Sequence, residues 1–159
     1  MSVTIRPAKL PIDEPAILGF IAALQKYESG FEKNRRTDKD FPAEHWGVVQ
    51  NRVHSHHGII LVADDDGTRL GWLFAYEEEA EVFIAPDERR HGFLAEIYVV
   101  PEARGTGVGR ALIEKCEEWS KSRGHKSMTI NVLAHNHRAI RAYEGTGYAP
   151  YTVTLRKYL

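Results

Sequence analysis

The chain has 159 residues, of which 43% are hydrophobic, enough to fold as one globular domain, expected here over residues 1–159. Its formal net charge of −1 is spread over interspersed signs, so composition offers no general attraction to nucleic acid or to an anionic membrane. The opening MSVTIRPAKL lacks the apolar run of a signal peptide and no stretch approaches the roughly 18 apolar residues of a membrane span, while a lone cysteine, Cys116, excludes an internal disulfide framework and a multi-cysteine metal site.

In chain order the pattern reads as mixed α/β. VTIRPA is a short opening strand, and IDEPAILGFIAALQKYE places Ile17, Phe20, Ile21 and Leu24 on one helical stripe. After the polar SGFEKNRRTDKD, a weaker helix runs from about Ala43 to Val53. GIILVAD and RLGWLFAYE then flank the turn DDDG as a hairpin. A charged connection leads to the apolar strand FLAEIYVV and the glycine loop Arg104-Gly-Thr-Gly-Val-Gly109. Val108, Leu112, Cys116 and Trp119 share a helical face that Gly124 brings to a stop, and at that spacing Cys116 reads as a core thiol. SMTINVL is a buried strand, NHRAIRAYEGTGY a helix starting near Asn136, and YTVTLRKYL, with its period-two alternation, a closing strand.

Three glycines within six positions, between a strand and a helix, free backbone N–H groups to converge on an anion. A Walker loop would need lysine after its last glycine, where Arg110 stands, and a dinucleotide fingerprint would need G-x-G-x-x-G rather than G-x-G-x-G. A pyrophosphate held on the helix N-terminus is the reading left.

Arg104-Gly-Thr-Gly107-Val-Gly109, preceded by IYVVPEA, resembles the R/Q-x-x-G-x-G/A signature of the GNAT superfamily of N-acetyltransferases. About thirty residues on, Asn136-x-x-Ala139-Ile140-x-x-Tyr143-Glu144-x-x-Gly147-Tyr148 is similar to that family's N-x-x-A-x-x-x-Y-x-x-x-G-F block, with tyrosine in the last place. The close resemblance covers roughly residues 93 to 150. It implies a GNAT-like, mostly antiparallel mixed sheet of about six to seven strands, flanked by about four helices, with strands 4 and 5 splayed. It implies acetyl-CoA as cosubstrate, with no metal, and a primary amine as acceptor, either a small cationic amine or a peptide or protein amine. The pyrophosphate would meet Arg104, Gly105, Thr106, Gly107, Val108 and Gly109. Ile97 and Val99 stand where relatives pair with pantetheine and polarise the thioester, Asn136 where they reach the cofactor arm, and Tyr143 where a hydroxyl faces the leaving sulfur. Asn136 also reads as a plain helix cap.

Direct attack on a thioester makes three demands. A lysine-like amine with a pKa of about 10.4 is only about one part in a thousand neutral near pH 7, so a base is needed. The oxyanion needs fixed donors, which strand N–H groups supply, and the thiolate needs a proton donor, for which Tyr143 is the candidate. Glu96, a carboxylate within an apolar strand, is the candidate base or amine-orienting group, with a structural ion pair as the other reading. Several relatives carry that glutamate one position earlier, where this chain has Ala95, and one step along a strand reverses the face. Tyr27, Glu28 and Phe31, after the first helix, stand where GNAT relatives often line the acceptor pocket, with core or loop roles as the equal alternative. His54, His56 and His57 read as solvated rather than metal-binding. Glu77, Glu78, Glu79 and Glu81 read as a solvated hairpin segment that could also guide a cationic amine. A cytoplasmic enzyme is expected, with no nucleic-acid or membrane partner; a homodimer is common in such families, though no residue establishes one. The alternative is a non-catalytic acyl-CoA-binding module for sensing or assembly.

Overall fold

A computed structural model describes residues 2–159. Its elements are strand β1 (Val3–Pro7), helices α1 (Glu14–Glu28) and α2 (Phe41–Ser55), strands β2 (Ile59–Asp65), β3 (Thr68–Glu79) and β4 (Arg90–Val99), helix α3 (Val108–Ser122), strand β5 (Met128–Ile130) and helix α4 (His137–Glu144). One sheet is ordered β1-β2-β3-β4-β5, antiparallel except for the parallel pair β4/β5. Asp66 (φ 47°) and Gly67 (φ 90°) form the two-residue turn between β2 and β3, both in the left-handed conformation that suits a tight hairpin.

The alternation along β2 and β3 sends side chains to two separate cores. Leu61, Ala63, Leu73, Ala75 and Leu94 pack with Val108, Leu112, Ile113 and Cys116 of α3. Val62, Trp72, Phe74 and Tyr76 face the other way, against Ile17, Phe20 and Ile21 of α1 and Trp46 and Val49 of α2. Cys116 is fully buried, and burial pushes its thiol up to about 12, with the charge of Glu117 adding to the effect; that fits a core thiol rather than a nucleophile.

Three expectations are corrected. The sheet has five strands among the described residues rather than six to seven, and SMTINVL contributes only the three residues of β5. YTVTLRKYL forms no strand: residues 149–159 join no ladder, because alternation fixes which side chains share a face and not which strand they pair with. Glu77 is also not a freely solvated carboxylate. It accepts from His125 Nε2 (3.0 Å) and Arg123 Nε (3.2 Å), while His125 Nδ1 meets Ser120 Oγ at 2.9 Å, pinning the end of α3 to β3. Burial alone would raise the Glu77 pKa, yet these partners hold it below the ordinary value.

Candidate active site

The site is built where β4 leaves its neighbours. Phe74 pairs with Glu96 and Ala75 with Leu94, so Ala95 is an extra residue, a bulge that re-aims the strand. The β4/β5 ladder spans only Gly92–Leu94 against Met128–Ile130, while β4 continues to Val99. The two strands therefore part after Leu94, as expected for strands 4 and 5, and a cleft opens between the end of β4 and α4.

Arg104 fastens the chain as it leaves β4. Its Nε donates to Val99 O at 2.9 Å, and its guanidinium lies 5.4 Å from the Tyr98 ring centre and 6.0 Å from that of Tyr27. Gly105 (φ 76°) and Gly107 (φ 94°) then hold conformations that side-chain-bearing residues rarely adopt, and a Cβ built at either would project into open space. The first main-chain bond of α3 runs from Ala111 N–H to Gly107 O (2.9 Å), with no side-chain cap. The amides of the preceding turn are left to face an anion. This cradle fits a pyrophosphate: it is open where a ligand must approach closely, and its donors are main-chain.

A cavity of about 460 Å³ runs from this loop along the cleft, lined by Ile97, Val99, Arg104, Gly105, Gly107, Gly109, Asn136 and Tyr143 among others. Val108 instead faces the core and Thr106 Oγ1 turns back to Ala103 O (2.6 Å), so only their main-chain groups are available to the loop. Asn136 Oδ1 accepts from Ala139 N–H (3.2 Å) and caps α4, which commits its oxygen and leaves its amide nitrogen free for a ligand. Burial, assisted by the nearby Glu28 charge, raises the Tyr143 phenol well above its ordinary pKa. It is a proton-bearing donor throughout the neutral range.

A second cavity, of about 400 Å³, lies on the α1/α2 side, and Leu24, Glu28, Ala95, Glu96 and residues 131–133 line both. At this junction Glu96 Oε1 is in hydrogen-bond contact with His45 Nε2 of α2, whose ring stacks on Phe41 at 5.2 Å. Burial pushes the Glu28 carboxyl above the usual range, Arg35 opposes this, and the Glu96 charge adds to it. Arg35 Nε is buried without a hydrogen bond, 3.6 Å from Glu28 Oε2. Of the expected acceptor residues, Glu28 lies at the junction and Tyr27 in the larger cavity beside Arg104. Phe31 packs edge-on against Tyr27 (5.2 Å) and lines neither cavity.

His45 and Arg35 were not singled out from the sequence. The signal for His45 was present in FPAEHWGVV, where it is one turn after Phe41 and directly precedes the inward-facing Trp46. Arg35 lies in a segment without helix or strand, where no periodicity marks the inward side. His54, His56 and His57 are exposed, and no group of three or more potential metal ligands occurs among the described residues. No helix among them is long and apolar enough to cross a membrane.

A mixed sheet opened at its fourth strand, with a glycine cradle at the head of the following helix, is the architecture of one family's fold. The chain belongs to the acetyltransferase (GNAT) family, whose model matches residues 14–148. It is 30% identical over 100 residues to YhfO of Bacillus subtilis (strain 168), described as an uncharacterized N-acetyltransferase; that match covers 63% of this chain and 64% of YhfO. The chain thus spans less than two thirds of that relative's length. In three dimensions it is similar to a tetramutant of the BH1408 protein from Bacillus halodurans, with a TM-score of 0.82, 18% identity and coverage of 98% and 99% of the two chains. It is also similar to AAC(6')-Iy solved with the bisubstrate analogue CoA-S-monomethyl-acetylneamine, with a TM-score of 0.70, 19% identity and coverage of 100% of both chains. At such identities these structures establish the fold.

Proposed function

We propose that residues 1–159 form one catalytic domain that moves an acetyl group from acetyl-CoA to a primary amine. The observation that carries this reading is the meeting of two cavities at Glu96 and the Ala95 bulge, with Tyr143 on the wall of the larger. One cavity begins at a cradle suited to pyrophosphate. The other enters from α1 and α2 and holds Glu28 and Glu96 beside Arg35 and His45.

In the proposed mechanism the main-chain amides of 105–109 hold the pyrophosphate, with Arg104, whose own amide donates to Pro101 O (3.2 Å), bordering the cradle, and Ile97 and Val99 on the free edge of β4 align the pantetheine and polarise the acetyl carbonyl. Bound acetyl-CoA supplies an activated thioester. Glu96 removes a proton from the acceptor ammonium, directly or through a water, and His45 orients that carboxylate and shares the proton. The amine lone pair forms the new N–C bond as the C–S bond breaks, and the nitrogen's surplus proton passes through solvent to the departing thiolate, leaving the amide and the free thiol. Tyr143 then donates a hydrogen bond to the departing sulfur. Its raised pKa makes complete proton transfer to a thiolate uphill, so stabilisation by the intact O–H is the favoured role.

Glu28 and Glu96 suit a cationic acceptor, either a small amine or a peptide amine, and the aminoglycoside portion of the AAC(6')-Iy analogue is chemistry of that kind. The test is calorimetric titration with acetyl-CoA, ATP and NADH, followed by thiol release over an amine panel. Selective acetyl-CoA binding that Gly107→Glu abolishes, together with amine-dependent thiol release, is the expected result. Binding without turnover on any amine would instead assign a non-catalytic acyl-CoA-binding module.

A further inference from the structure

Arg35 carries a guanidinium for which the chain supplies no acceptor. It lies between α1 and α2, half-buried on the wall of the cavity on their side, together with Glu28, His45 and Glu96. Among the described residues its Nε is the only buried guanidinium nitrogen without a hydrogen bond. The carboxylate beside it, Glu28 Oε2, stops at 3.6 Å, close enough for attraction but too far for a hydrogen bond. Nη1 and Nη2 make no hydrogen bond either, yet they are not buried, so a ligand in the cavity can reach them. The adjacent Arg36 is the contrast. On the surface it donates to Asp38 through Nε and Nη2 (both 2.9 Å) and to Glu44 through Nη1 (2.7 Å). Two carboxylates thus occupy Arg36 within the chain, while the guanidinium that walls the cavity keeps its donors uncommitted.

We propose that the acceptor brings its own carboxylate, which Arg35 binds end-on through Nη1 and Nη2 while the amine lies at Glu96. The substrate is then a free amino acid, and not a polyamine, an aminoglycoside or a protein lysine. This inference rests on the amine-transfer reading and narrows it. Two parallel N–H bonds to a carboxylate are the strongest pairing open to a guanidinium. A polyamine or aminoglycoside offers cationic and hydroxyl groups instead, which leave those donors without an anion and set like charge beside Arg35. A phosphate is disfavoured for the opposite reason: Glu28 and Glu96 share the cavity with one guanidinium and repel a dianion more than a single carboxylate. A zwitterion adds no net charge to this half-closed space, and about 400 Å³ is room enough for one amino acid.

The test compares amino acids, with β-alanine and γ-aminobutyrate included to vary the spacing of the two groups, each against its own carboxamide. Amidation keeps the shape, removes the negative charge and brings an α-amine to a pKa of about 7.7–8.0, so on basicity alone the amide is the readier nucleophile. Thiol release at saturating acetyl-CoA gives kcat and KM for each compound, and calorimetry with and without CoA gives Kd with no need of turnover. At least one amino acid is expected to show KM and Kd roughly tenfold to a hundredfold below those of its amide. Arg35→Gln should erase that difference by raising only the amino acid's values, with Arg35→Lys, which keeps the charge but not the paired donors, in between. Acetyl-CoA binding should stay at the wild-type value in both variants, since Arg35 does not line the larger cavity; a merely structural role would weaken all ligands together. Amides bound and acetylated as well as amino acids by the wild type overturn the proposal and leave the amine-transfer reading standing. A carboxylate preference that survives Arg35→Gln overturns it too, as does a failure of every amino acid to bind. Arg35-dependent binding of amino acids without turnover on any amine upholds the carboxylate site and sinks the transfer reading instead.

Discussion

Glu96 and His45 come from elements 51 residues apart in sequence, and neither has the other's role. The carboxylate borders both cavities, whereas the imidazole borders only the α1/α2 one and is stacked on Phe41. If they act as one unit, removing either member disables most of what both provide, so their effects do not multiply. Glu96→Gln is expected to lower kcat by roughly a hundredfold, within the range of a lost general base, with little change in the KM for acetyl-CoA. His45→Gln should lower it less, with the KM for acetyl-CoA again little changed, a split between kcat and KM that a packing role would not produce. The double variant should be no slower than Glu96→Gln; independent, multiplying effects would separate the two residues. Tyr143→Phe tests the other side of the reaction. It keeps the ring against Tyr148 (6.2 Å between centres) and removes only the O–H, so kcat should fall roughly tenfold or more while acetyl-CoA still binds.

The glycine loop acts through backbone shape rather than side chains. At φ 94°, Gly107 opens α3 from the left-handed region, where any other residue costs roughly 1–2 kcal/mol. A methyl there meets nothing within 4 Å in the protein and would enter only the space assigned to the ligand. Gly107→Ala is therefore expected to lower stability by about 1 kcal/mol and to weaken acetyl-CoA binding by more than that strain explains, as denaturation and calorimetry on the same variant would reveal. This loop was legible because glycine content and helix period are local signals, as were the Ile17–Phe20–Ile21 stripe of α1 and the Asp66-Gly67 hairpin turn. The Ala95 bulge was not. Alanine carries no mark of an inserted residue, and the extra position exists only relative to Phe74 and Ala75 across the ladder. The tail 151–159 failed for the same reason: its alternation says which side chains would share a face but not which strand they pair with. His45 reaches Glu96 only once α2 has docked on β3 and β4, a tertiary event that no sequence window contains.

Across the molecule, both cores depend on the sheet keeping its register from β1 to β4, and one ionic cluster ties the start of α1 to three of those strands. Asp13 accepts from Arg6 Nη1 (2.7 Å) and Nη2 (3.1 Å), Arg69 Nε (2.7 Å) and Lys9 N–H (2.7 Å), while Arg6 also bonds Asp64 of β2. Its carboxylate has no exposed surface, yet the groups that cover it are mainly guanidinium rather than apolar. The paired charge is therefore well compensated. The hydrogen bonds from Arg6 are the largest influence; they outweigh the opposing effect of burial and, with Lys9 N–H and Arg69, hold the Asp13 pKa far below the carboxylate range. A depressed folded-state pKa contributes stability in full above the unfolded value of about 3.9 and loses it progressively as pH falls below that point. Asp13→Asn keeps the shape and removes the charge, leaving two guanidinium groups short of a partner, at a cost of about 3 kcal/mol near neutrality. Urea unfolding at neutral pH should show that gap between wild type and variant, and it should narrow as pH is lowered from about 5 toward 3, where the wild type alone gives up the contribution of its ionised carboxylate. A gap that held constant down to acid pH would mean that Asp13 supports the α1 start through hydrogen-bond geometry alone, and that the charge on this cluster is incidental to how the sheet and its helices stay together.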